Sequence, residues 1–176
     1  MSRKLRNDEL NRLSEDEFKR VNKQPVILIL DNVRSLNNVG SAFRTADAFL
    51  IEEIILCGLT GTPPNKEIEK TALGATSTVK WTYLKTTLEA IDYVKNKNYI
   101  PFAIEQAVDS ISLNKFKSTN DCLALVFGNE VYGVEQDVID VCAGVIEIPQ
   151  AGSKHSLNIS VSIGIVLWEI LREKLD

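Results

Sequence analysis

Three polar stretches, each following an apolar run, carry side chains that a simple connection does not need. After Pro25–Leu30 comes DNVRSLNN and then GSAFR, with Asn38, Gly40 and Arg44; after Cys122–Phe127 comes Gly128-Asn129-Glu130-Val131-Tyr132-Gly133; after Val145–Ile148 comes PQAGSKHSLN, with Lys154, His155, Ser156 and Asn158. The guanidinium of Arg44, set among small and apolar helix residues, suits a phosphate. Plainer readings stay open for each group alone: Asn38 and Gly40 as a helix entry, Glu130 as a solvated loop charge, Ser156 and Asn158 as helix caps.

The elements that position these loops alternate. Pro25–Leu30, Glu53–Cys57, Val79–Leu84, Tyr99–Glu105, Cys122–Phe127 and Val145–Ile148 read as strands, several of them continuous apolar runs suited to burial on both faces. Between them, a helix from Val39, helices over Lys66–Leu73 (closed by Gly74), Thr87–Asn96 and Glu135–Val141, and one or two helical turns over Ser110–Phe116 are expected, with a final helix over Asn158–Leu171. Small residues from Gly40 to Ala48 are expected to bring their helix close to the sheet. The pattern predicts an α/β fold, a mostly parallel sheet with helices on both faces, whose ligands sit beyond the C-terminal strand ends. Two parts follow: a charged helical arm over residues 1–24, with Ser14 and Glu17 as a capping box, and one domain over 25–176.

Composition narrows the classes. An apolar fraction of 44% and a charged fraction of 25% are those of a soluble globular chain. No apolar run approaches the roughly 20 residues of a membrane span, and the charged N-terminus lacks a signal-peptide core, so a cytoplasmic location is expected. Cys57, Cys122 and Cys142 lack paired spacing and there is one histidine, so no metal is expected. Net charge is −4, against a strong sequence-independent grip on nucleic acid. The first 24 residues are nonetheless net positive, fitting either a phosphate-binding arm or a solvated helix.

Taken together, Asn38-x-Gly40-x-x-x-Arg44, Gly128-Asn129-Glu130-x-x-Gly133 and Ile148-Pro149-x-x-Gly152-x-x-x-Ser156-Leu157-Asn158-x-Ser160 resemble the motifs of the SpoU (TrmH-type) branch of the SPOUT methyltransferases, over about residues 25 to 173. The resemblance implies a C-terminal deep trefoil knot, the α/β-knot fold, which periodicity does not show. It also implies homodimers, S-adenosylmethionine (AdoMet) as cofactor, and methyl transfer to a ribose 2′-hydroxyl of RNA. Gly128, Ile148 and Leu157 match positions whose backbone holds AdoMet, with the strand end at Ile104 and Glu105 as a further wall. Arg44 matches the catalytic arginine, supported by Asn38, Glu130, Ser156 and Asn158. A guanidinium is a poor resting base, so phosphate binding is the role expected of Arg44 and orientation that of Glu130. Lys154 and His155 match no fixed position.

A catalytically inactive RNA-binding module of the same fold is the alternative. A dinucleotide-dependent oxidoreductase would need Gly-x-Gly-x-x-Gly after an early strand, which the chain lacks. Larger relatives carry a separate RNA-binding domain, whereas about 24 residues precede the first strand here. That compact build favours tRNA over rRNA.

Overall fold

The structure, a computed structural model, describes residues 2–117 and 122–175. Its strands are β1 (Gln24–Asp31), β2 (Ile51–Cys57), β3 (Trp81–Leu84), β4 (Ile100–Ile104), β5 (Ile111–Ser112), β6 (Leu123–Phe127) and β7 (Val145–Glu147). Its helices are α1 (Glu15–Arg20), α2 (Leu36–Ala48), α3 (Lys66–Ala72), α4 (Ala75–Thr78), α5 (Thr87–Asn96), α6 (Gln136–Val141) and α7 (Ile159–Leu171). The strands form one sheet in the order β3-β2-β1-β6-β4-β7-β5, and every pairing is parallel.

The apolar runs lie at the sheet centre because both faces are covered. Val26, Leu28 and Leu30 of β1 pack with α1, α2, α3, α4 and α7 on one face. Ile27 and Ile29 pack with α5 and α6 on the other. Fully burying each such side chain stabilises by about 1.5–3 kcal/mol, far more than the strand propensity of any one residue. The arm is not detached from this core: Ser14 forms the expected capping box with Glu17, and Phe18 of α1 is buried in the α2 face.

Several boundaries differ from expectation. Helix α2 begins at Leu36, because the Ser35 side chain caps it by accepting from the Asn38 amide. The expected loop therefore ends three residues early. Gly40 brings α2 against α3 and not the sheet: a Cβ there would collide with Thr71 Oγ1 and the Ile68 carbonyl. Leu73, in the left-handed region at φ 51°, takes the capping place expected of Gly74, and Gly74 instead enters the unforeseen α4. Over Ser110–Phe116 the chain forms the two-residue β5, paired to the end of β7, and a 3₁₀ turn over Leu113–Lys115. Residues 118–121, between that turn and β6, lie outside the described residues.

Two acidic residues are buried among the described residues, Asp31 at the end of β1 and Glu53 in β2. Glu53 of β2 is 0% exposed and its carboxylate accepts from Lys80 Nζ (3.0 Å), Lys97 Nζ (3.1 Å), Thr82 Oγ1 (2.7 Å) and Tyr93 Oη (3.2 Å). Burial raises its pKa, but the hydrogen bonds from Thr82, Lys80 and Lys97 outweigh that and leave it below its ordinary 4.5. Its stabilisation is therefore complete above that value and is lost as pH falls through the lower folded value. Among the described residues no helix is long and apolar enough to cross a membrane, and no group of three or more His, Cys, Asp or Glu is placed to hold a metal. Glu53→Ala strands two ammonium groups and two hydroxyls. Equilibrium urea unfolding should show a loss of about 2–4 kcal/mol, below the ~3–5 of a wholly buried pair because both lysines keep water contact.

Candidate active site

Register decides where the site forms. Ile104 of β4 pairs with Phe127 of β6 and with Ile146 of β7, so the three strands end at one level. Their exits, Glu105, Gly128 and Ile148, therefore face one space at the C-terminal sheet edge. A cavity of about 670 Å³ opens there, within the range of small-molecule sites. Ile104, Glu105, Gly128, Glu130, Ile148, Ser156, Leu157 and Asn158, all singled out from the sequence, line it.

The polar groups form a directed chain across three distant loops. Asn158 Nδ2 donates to Asn38 Oδ1 (3.2 Å), and Asn38 Nδ2 donates to Glu130 Oε1 (3.0 Å). Glu130 also accepts from the backbone amides of Arg34 (3.1 Å) and Ser35 (3.0 Å) at the entry to α2. Partial burial raises the Glu130 pKa, while the Asn38 side chain and the Arg34 and Ser35 amides outweigh it and hold the carboxyl below its usual value. Such a carboxylate stays charged at neutral pH and is engaged as an acceptor, which suits clamping and not proton removal. Asn158 has both roles that its sequence left open. Its Oδ1 caps α7 by accepting from the Ser160 amide (2.9 Å), while its Nδ2 reaches Asn38. Ser156 lies in the lining without a hydrogen bond to any described residue, so capping is not its role.

Two residues to which the sequence assigns no role in the site hold the walls. Asn129 Nδ2 donates to the Asn32 carbonyl (2.8 Å), and its Oδ1 accepts from the amides of Val131 (2.8 Å) and Tyr132 (3.2 Å). The loop 128–133 is closed further by paired backbone hydrogen bonds between Asn129 and Gly133, both 2.9 Å. Buried Asp31 accepts from Thr87 Oγ1 (2.5 Å), Asn32 Nδ2 (3.1 Å) and the Glu135 amide (3.4 Å), fixing the β1 exit. The signals were present: an Asn two residues before Val131 in a Gly-bounded turn, and an acid ending an apolar strand. Glu105 acts similarly, its carboxylate accepting from Gln106 (2.8 Å) and Val134 (3.2 Å) amides. Gln106 Nε2 donates to the His155 carbonyl and so anchors the third loop.

Arg44 is placed apart. It is exposed, makes no hydrogen bond or ion pair with any other described residue, and is not in the cavity lining. At 1.5 Å and 100° per residue it lies about 9 Å along α2 from Asn38 and about 120° round it. Helix α7, which packs on α2, turns Ile163, Val166 and Leu167 inward and leaves Val161, Ile165 and Trp168 exposed as one stripe.

What the cavity could hold follows from its walls. Outside the strand ladders, the backbones of Gly128, Ile148 and Leu157 make no hydrogen bond to other described residues, so the main-chain groups that the ladders leave open are available to a ligand. At Gly128 a Cβ would collide with the Gly133–Val134 backbone, so the tight wall there excludes any larger residue. Such edges suit a heterocycle read by main chain, next to apolar Ile104, Ile148 and Leu157.

Because the Glu130 carboxylate joins two loops, Glu130→Ala should speed amide hydrogen exchange at Arg34 and Ser35 by about 10-fold or more, by nuclear magnetic resonance, while β1 amides keep their protection. In the wild type the same two amides should loosen as pH falls through the depressed Glu130 pKa and tighten above it.

Residues 25–168 match the family described as the SpoU rRNA Methylase family. The chain is 32% identical over 170 residues to "23S rRNA (guanosine-2'-O-)-methyltransferase RlmB" of Vibrio cholerae, covering 95% of this chain and 67% of that protein. It is 34% identical over 171 residues to the protein of the same name from Haemophilus influenzae, covering 95% and 68%. The solved structure of an AdoMet-bound rRNA methyltransferase from Sinorhizobium meliloti superposes with a TM-score of 0.78 at 27% identity, covering 94% of this chain and 62% of that one. The chain thus spans about two thirds of the length of these relatives. The parallel sheet, its helical faces and these neighbours make the architecture the α/β-knot fold expected from the motifs. With two of its motifs lining one cavity, the first tied to them through Asn38, and most of its length matched, the chain belongs to the SpoU rRNA methylase family.

Proposed function

We propose that the protein transfers a methyl group from AdoMet to a ribose 2′-hydroxyl of RNA, with ribosomal RNA as the favoured substrate. The observation that carries this reading is the convergence of the unpaired Gly128, Ile148 and Leu157 backbones with the Asn158–Asn38–Glu130 chain on one cavity. Main-chain groups of those three residues would hold AdoMet, which when bound supplies an electrophilic methyl group. The names of the curated relatives favour ribosomal RNA. They lend no support to the tRNA preference drawn from the compact build.

The chain's own residues divide the remaining work. A ribose hydroxyl attacks only as its proton leaves, so it must be held beside an acceptor. Glu130, already accepting from three groups, orients Asn38, whose amide is then fixed at the cavity edge. Arg44 keeps its charge and has five unused donors for the phosphate next to the target ribose, which itself is the nearest acceptor for the proton. Because Arg44 does not line its own cavity, a second copy packed on the Val161, Ile165 and Trp168 stripe is the arrangement that would bring an arginine to it. We therefore propose a homodimer.

Incubation of the protein with AdoMet and unmodified ribosomal RNA, followed by nucleoside mass spectrometry, should yield one 2′-O-methylnucleoside. Arg44→Ala should lower that yield by about 10²–10³-fold, the scale of one lost charge-stabilising contact, while AdoMet affinity stays within about twofold of wild type. A matching loss of AdoMet binding would refute the division of labour.

A further inference from the structure

Of the ring-bearing residues that line the cavity, Phe127 is buried and His155 has its carbonyl held by Gln106, but Tyr132 is 83% exposed. Its neighbour Val131 is 73% exposed. Neither side chain packs on the core, and the Tyr132 ring and hydroxyl have no partner among the described residues. The exposure does not come from a slack loop. Asn129 holds both amides with its Oδ1, ties the turn to β1 through the Asn32 carbonyl, and closes it by its two backbone bonds to Gly133. Asn32 is itself fixed, its Oδ1 accepting from the Leu59 amide at 3.0 Å. The chain thus presents a bare aromatic ring on a rigid turn at the cavity rim, two residues from the Glu130 clamp.

We infer that Tyr132 is a stacking platform for an unpaired nucleobase of the RNA substrate, adjoining the ribose that enters the cavity; this rests on the methyl-transfer reading above. The chemistry of the site favours that occupant. A base has an apolar π face that an exposed tyrosine ring can cover, and stacking is how unpaired nucleotides are gripped where net charge gives little help. With a net charge of −4 and Glu130 and Glu135 near the turn, phosphate attraction alone is a weak anchor here. The backbone of the turn is pre-set, so little main-chain freedom is lost on binding. Tyr132 is accordingly a substrate-positioning residue, acting through the RNA and not on the cofactor.

The test uses the full chain with unmodified 23S ribosomal RNA and transfer RNA transcripts, following whichever is methylated. Tyr132→Ala should raise the KM for that RNA by about 5- to 150-fold, the range for a lost base stack, with AdoMet affinity and oligomeric state unchanged. Tyr132→Phe should stay within about twofold of wild type, since the ring and not the hydroxyl stacks. Tyr132→Trp should show indole fluorescence quenched on RNA addition. An unchanged KM for Tyr132→Ala in an active wild-type background overturns the inference and leaves the methyl-transfer reading intact. So does a loss of AdoMet affinity, which would put the ring in the cofactor wall, or dissociation into monomers, which would put it in a subunit contact. A wild type that methylates neither RNA overturns both.

Discussion

A single carboxylate ties the functional loops to one another. Glu130 sits beyond β6, yet the groups it accepts from belong to the chain after β1: two amides at the entry of α2 and the side chain of Asn38. Through Asn38 the contact reaches Asn158 and the first turn of α7. Loops separated by 92 residues and then 120 in sequence are thereby fixed to within hydrogen-bond tolerance. Positioning of that kind is a large lever, because orientation alone supplies several kcal/mol of a barrier, on the order of 7–11 in ideal cases.

The sheet explains why this clamp lies where it does. Strands β1 and β6 are apolar on both faces over Val26–Leu30 and Leu123–Phe127 and so leave little surface for polar groups within the layer. Polar side chains are pushed to the C-terminal edge, where Asp31, Asn32, Asn129 and Glu105 saturate the strand exits with hydrogen bonds. Glu53, buried in β2, faces α5 and is surrounded by donors, so it steadies the far side without entering the cavity. Burial likewise pushes the Cys57 thiol up to about 12 and the Cys142 thiol to about 11, which keeps these cysteines protonated and chemically quiet.

Much of the site was legible because its residues obey local rules that also serve distant contacts. Asn38, Glu130 and Asn158 sat in turn and cap contexts, and all three meet. What sequence could not convey was direction. Arg44 shares a helix with Asn38, but helical geometry turns it away from the cavity of its own chain. Asn129 stands in the second motif without an assigned role, although its two-ended amide is what ties the 128–133 loop together. The missed β5 and α4 are two and four residues long, too short for any period to register. Asn37 and Asn38 looked like loop because asparagine is a poor interior helix residue, yet in a first turn capped by Ser35 that penalty does not apply.

The central claim is that main-chain groups of Gly128, Ile148 and Leu157, from the loops after β6 and β7, form one cofactor cradle. Amide hydrogen exchange by mass spectrometry, with and without saturating AdoMet, tests it most directly. The account predicts that exchange slows together in the segments containing Gly128, Ile148 and Leu157, with little change in α5 and α6. Slowing in only one of the three segments, or in none while AdoMet is bound, would contradict it.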